Sequence, residues 1–159
     1  MYLRPYTATE IKKKFVRLSK SKSEVLRRKF EKEFCSTDSE QYKYYKREPG
    51  YMLWDCMIGG PRVLTIQEVN ENPPFPGDVY VFWDVNERDE EMFKLGKYYL
   101  HQMPFEKFLL NYFSFPQETY VFDEHFKYSI VLSHEHFHSL KQDLCLYSPH
   151  EEDNWYLYV

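Results

Sequence analysis

The run Asp78-Val79-Tyr80-Val81-Phe82-Trp83-Asp84 constrains this chain more than any other stretch. Its apolar residues fill both sets of alternating positions between two aspartates, so as a strand it offers no face to water and belongs inside a sheet. Two further β-rich runs, Glu118 to Asp123 and Tyr128 to His134, are joined by Asp123-Glu124-His125-Phe126 and read as an antiparallel hairpin. The closing Asn154 to Val159 can supply one more strand.

Cover for such a sheet must come from helices. Thr7-Ala8-Thr9-Glu10 fits a capping box, and Ile11, Phe15 and Leu18 follow at helical spacing, with Lys12, Lys13, Lys14 and Arg17 on the other face. Residues 19–24 interrupt that pattern, and Ser23 is placed to cap a second helix carrying Leu26, Phe30 and Phe34. A third short helix is expected over Glu40 to Arg47, and a fourth after Thr65, beyond the Gly59-Gly60-Pro61 break. A Pro-rich loop follows at residues 73–76. The acidic segment 86–91 then enters a helix over Met92 to Leu100, and Pro104 opens another with Phe105, Phe108, Leu109 and Tyr112 facing inward.

These elements predict an α+β fold: a single domain over residues 1–159, with N-terminal helices packed on a mostly antiparallel sheet formed largely by the C-terminal half. The length of 159 residues suits one compact core, built from thirteen Phe and fifteen Tyr with a single Ala, Ala8. A mean hydropathy of −0.69 and the lack of any apolar run near the length of a bilayer span argue against a membrane segment. The opening Met1 to Glu10 lacks an apolar leader core, which reads as cytoplasmic. Cys35, Cys56 and Cys145 are widely spaced without a C-x-x-C pair, so reduced thiols are expected.

Charge is divided along the chain. Residues 1–50 carry 14 Lys/Arg against 7 Asp/Glu, a balance of +7, and residues 51–159 carry a balance of −11. The basic face of Lys12, Lys13, Lys14, Arg17, Arg27, Arg28 and Lys29, continued by Tyr42-Lys43-Tyr44-Tyr45-Lys46-Arg47, combines cations with rings as single-strand binders do. Interleaved glutamates and an overall pI near 5.9 argue against nucleic acid as the main partner.

His134-Glu135-His136-Phe137-His138 spells the zinc-protease pattern H-E-x-x-H. That chemistry needs a helix, because only i, i+4 spacing on a helix aims both imidazoles at one ion with the Glu beside the bound water. The preceding residues alternate as a strand, with Tyr128, Ile130 and Leu132 on one face. The extended pattern also fails, since Lys141 and Leu144 stand where Gly and His are required; Glu151 or Glu152 is the remaining candidate for a third ligand. On a continuing strand, His134, His136 and His138 would share a face roughly 6.8 Å apart, suiting adventitious metal more than a built site. The alternative expectation is polar residues at a strand exit. No G-x-S-x-G, P-loop or G-x-G-x-x-G occurs, and no cofactor is expected. Asp84, Asp123 and Glu135, at expected strand ends, could cluster to bind a cation or pair with a partner's Lys or Arg.

Glu118 to Asp123 followed by Tyr128 to Glu135 resembles the closing hairpin of small bacterial proteins, some similar to immunity proteins of polymorphic-toxin and contact-dependent inhibition systems. Tyr51 to Met57 and Val79 to Asp84 resemble further segments of that group, while Tyr128 and Ser133 stand where it carries Trp and Thr. The resemblance implies a cytoplasmic, cofactor-free, non-catalytic domain that blocks a basic toxin or nuclease by surface complementarity. The candidate contacts are Trp83, Asp84, Glu87, Asp89, Glu90, Glu91, Asp123, Glu124, Glu151, Glu152 and Asp153. Two alternatives stand beside it: a zinc-dependent hydrolase using His134 and His138, and single-stranded nucleic-acid binding through the basic helices.

Overall fold

The computed structural model describes residues 8–48, 50–84, 99–138 and 140–149. The expected helix over Met92 to Leu100 and the closing strand, Asn154 to Val159, lie wholly or mainly outside these residues. So do the contacts Glu87, Asp89, Glu90, Glu91, Glu151, Glu152 and Asp153.

Nine strands and five α-helices are described. The strands are β1 (Val16–Arg17), β2 (Arg62–Leu64), β3 (Asp78–Trp83), β4 (His101–Pro104), β5 (Thr119–Phe122), β6 (Ser129–Leu132), β7 (Phe137–His138), β8 (Lys141–Gln142) and β9 (Leu144–Tyr147). The helices are α1 (Ala8–Lys14), α2 (Lys20–Phe34), α3 (Glu40–Arg47), α4 (Ile66–Glu71) and α5 (Phe105–Asn111), with 3-10 turns at Leu53–Cys56 and Tyr112–Ser114. Seven strands form one sheet in the order β1-β4-β3-β5-β6-β9-β2, and β7 pairs with β8 apart from it. Every described pairing is antiparallel. The fold is α+β, as expected.

Strand alternation divides the core into two layers. Val79, Val81, Trp83, Val121, Ile130, Leu132, Leu144 and Leu146 point to one side, where they meet Ile11, Val69, Phe105 and Phe108 from α1, α4 and α5. Phe82, Tyr120, Phe122, Val131, Cys145 and Tyr147 point to the other, against Phe30 and Phe34 of α2 and Leu53 of the 3-10 turn. Burial on both faces is why β3 shows no polar side. Rings do the packing: Phe30 lies 5.1 Å from Phe82 and 4.9 Å from Phe122 between centroids, and Phe82 stacks on Tyr120 at 4.8 Å. Cys35, Cys56 and Cys145 are all buried, free thiols. No helix among the described residues is long and apolar enough to cross a membrane.

α2 departs from its expected start. Ser19 is the N-cap, accepting from the Lys22 amide at 3.2 Å, so the helix begins one turn before Ser23. Ser23 lies inside it, fully buried, and its hydroxyl accepts from the Leu100 amide at 3.0 Å. The serine that local pattern marks as a cap instead anchors the chain leading into β4. Ser23→Ala strands that buried amide and should cost about 1–2 kcal/mol in urea unfolding, with the far-UV spectrum unchanged. The helix after Thr65 does carry a full capping box with Glu68.

Candidate functional site

Where the sheet leaves β3 and enters β5, polar groups from five segments converge. Arg27, only 7% exposed, lies on α2 with its guanidinium 4.1 Å above the Phe82 ring. Its Nε donates to Glu31 at 3.2 Å and a terminal nitrogen donates to the Tyr45 hydroxyl at 2.6 Å. Tyr45 in turn donates to Asp84 at 2.8 Å, and the same carboxylate accepts from the Tyr120 hydroxyl at 2.6 Å and the Leu53 amide at 3.0 Å. Tyr120 accepts from the Trp54 amide at 2.8 Å. Glu31 is closed off by the Tyr42 hydroxyl and Lys46, each at 2.6 Å.

The electrostatics follow from this arrangement. Burial pushes Glu31 up, but Arg27, Lys46 and Tyr42 outweigh it and hold the carboxyl below its ordinary value. For Asp84 burial wins over Arg27 and the three donors, and the carboxyl titrates above the usual range. These groups are bonded to one another, so the network joins α2, α3 and the 3-10 turn to β3 and β5.

The network continues to the surface through Glu118. This residue sits in the left-handed region, with φ of 65°, which costs a non-glycine residue about 1 kcal/mol. Its amide donates to Leu132 at 2.6 Å and its carbonyl accepts from Asp84 at 2.9 Å, so bonds to the ends of both neighbouring strands, β6 and β3, hold the geometry. The 4% exposed carboxylate accepts from the Trp54 indole, from the His134 amide at 2.7 Å, and lies 3.0 Å from His134 Nδ1. Burial raises its pKa, opposed by the Trp54 and His134 bonds. Trp54 and His134 are thereby fixed against each other, ring centroids 5.5 Å apart, with half of the His134 side chain in solvent. Beside them stand the exposed carboxylates Asp55 and Glu135. Burial and then Glu135 raise the pKa of Asp55, while His134 lowers it.

The His-rich stretch is neither the helix that zinc chemistry needs nor the continuous strand. Residues 134–136 form a turn, with the Ser133 carbonyl accepting from the His136 amide at 3.1 Å and the Phe137 amide at 2.7 Å. His134 faces Glu118, and His138 in β7 accepts the Leu140 amide at 3.2 Å. Among the described residues no group of three or more His, Cys, Asp or Glu is arranged to hold a metal ion.

The expected contacts in the described region are scattered. Trp83 is 4% exposed and stacks on His101, because β3 is covered on both faces. Asp84 is turned into the network. Asp123 is 4% exposed and accepts the His125 amide at 3.1 Å inside the hairpin turn. Glu124 alone lies at the surface, 3.8 Å from His125. Asp84, Asp123 and Glu135 do not form the cluster that their positions suggested; the carboxylate whose pKa Glu135 raises is Asp55. Glu118, Trp54 and Tyr120 were not singled out as site residues from sequence, and Arg27 and Tyr45, read there as part of a basic surface, are turned into the network instead. A partial signal existed for Glu118, since it immediately precedes one hairpin strand as Ser133 follows the other.

Comparisons with protein-family models, characterised proteins and solved structures return no match for this chain.

Proposed function

We propose that this chain is a non-catalytic protein-binding domain whose face of Trp54, Asp55, His134 and Glu135 holds a cationic segment of a basic partner. One observation carries the reading. Asp55 and Glu135 are exposed carboxylates, the second near enough to raise the pKa of the first, beside an aromatic pair, and no ion pair among the described residues neutralises either. Adjacent like charges disfavour folding, and a partner's Arg or Lys converts that cost into attraction. The Trp54 ring adds a surface on which a guanidinium can stack. Glu118 supports preorganisation, because it holds Trp54 and His134 before any partner arrives.

A cytoplasmic, cofactor-free, immunity-like protein that neutralises a basic toxin or nuclease fits this reading. A fluorescein-labelled peptide of alternating arginine and glycine tests the face. Wild-type protein should bind it, more weakly as salt rises, and Asp55→Lys/Glu135→Lys should lose about tenfold or more in affinity with its melting curve unchanged. Co-expression with basic nuclease domains extends the test: wild type should protect cells from at least one, and the double variant should not. Peptide binding insensitive to the double reversal would sink the proposal.

A further inference from the structure

On α3 lies a second surface of opposite character. Tyr44 and Tyr51 stack at 5.5 Å between centroids and 16° between planes, yet remain 42% and 46% exposed. The local chain builds this pair deliberately. The Glu48 amide closes α3 on the Tyr44 carbonyl at 2.8 Å, and Gly50, at φ of 92°, takes a turn that L side chains rarely adopt, bringing Tyr51 back onto Tyr44.

Cations frame the stack. The Arg47 guanidinium lies 5.6 Å from the centre of the Tyr44 ring. Among the described residues the Lys43 ammonium, one turn earlier, pairs with the exposed Glu40 at 3.6 Å, a pair weak enough for a phosphate to displace. Lys46 is different, being committed to Glu31. On the neighbouring α2, Arg28, Lys29 and Lys32 are exposed as well, within the half of the chain that carries a balance of +7.

We propose that Tyr44, Tyr51, Lys43 and Arg47 form a docking platform for single-stranded nucleic acid. Unpaired bases extend the tyrosine stack through the exposed ring surface, and backbone phosphates meet Lys43 and Arg47. A base stacks on a tyrosine whatever its identity, so recognition is tolerant of sequence and selective for unpaired strands. Charge complementarity favours this occupant over an acidic peptide, because two cations beside two stacked rings match the alternation of phosphate and base. The platform shares no residue with the acidic face and does not depend on the function proposed for it.

Fluorescence anisotropy with labelled oligouridylate and oligodeoxythymidylate tests the platform. Wild-type protein should bind both, with affinity falling as salt rises. Tyr44→Ala/Tyr51→Ala should weaken binding roughly tenfold or more, while Tyr44→Phe/Tyr51→Phe retains it. Lys43→Glu/Arg47→Glu should weaken binding and flatten its salt dependence. All six substitutions lie at the surface, and circular-dichroism melting confirms that each variant is folded. Any of three results overturns the proposal: no retention of either oligomer by wild type, equal binding by the alanine pair, or tighter binding of a duplex or an acidic aromatic peptide than of the single strands.

Discussion

Asp84→Ala should destabilise the protein by about 3–5 kcal/mol, a large fraction of the stability of a domain this size. The loss exceeds that of a surface carboxylate because the substitution strands several groups at once. Arg27 loses its second anion, the Tyr45 and Tyr120 hydroxyls lose their acceptor, and the Leu53 amide loses its partner. Tyr45→Phe removes one of these bonds and should cost about 1 kcal/mol. Asp84→Asn should fall between the two, since its single carbonyl oxygen can accept while its amide group faces donors. Urea unfolding of the three variants measures the series. If Asp84→Ala cost no more than Tyr45→Phe, water would be replacing the carboxylate, and the network would not be the scaffold of the Trp54–His134 face.

Acid should destabilise the protein through His101, and His101→Phe should remove that component. His101 is 1% exposed, lies flat on Trp83 at 5.3 Å, and neither ring nitrogen has a hydrogen-bond partner among the described residues. Burial, with a smaller contribution from Arg17, holds its pKa down to about 4 against an ordinary 6.5. The folded protein therefore binds fewer protons at this site than the unfolded chain between those values. Stability from this group is intact above about pH 6.5 and is lost as pH falls toward 4, by about 3 kcal/mol at most. Carboxylates elsewhere titrate in both proteins and cancel in the comparison. Unfolding free energies across this window should converge if wild type starts the more stable, or diverge if it starts the less stable, always moving in favour of His101→Phe on acidification. Parallel curves would mean that the buried imidazole can be charged without cost.

The fold was legible wherever one local pattern sufficed. β3, the β5–β6 hairpin, α3, α4 and α5 all follow from periodicity, caps or a proline at the right place. β4 was missed because its inward residues, His101 and Met103, alternate with Gln102 and lead into Pro104, a combination that reads as polar connection. β9 is a short apolar run next to a polar segment, and periodicity alone cannot tell such a run from a loop that packs. The site was harder to read. His134 attracted attention as half of a zinc pattern, whereas its actual partner is Glu118, sixteen residues earlier, brought alongside by hairpin register. Trp54 reaches the same carboxylate from sixty-four residues away, across the sheet. No spacing rule encodes that distance; the packing of the 3-10 turn over Tyr120 does.

The order of the strands has a consequence for synthesis. Both outer strands of the large sheet, β1 and β2, come from the first half of the chain, while their partners, β4 and β9, come later: Val16 faces Gln102 and Val63 faces Cys145. On a ribosome, the early strands and the apolar faces of α1 and α2 must wait for a platform that does not yet exist. Within the large sheet, β5 and β6 are the described partners nearest in sequence, so their hairpin is the natural place for the sheet to nucleate. Until then Phe30 and Phe34 have no sheet to cover, which leaves an aromatic helix face exposed to non-native contacts.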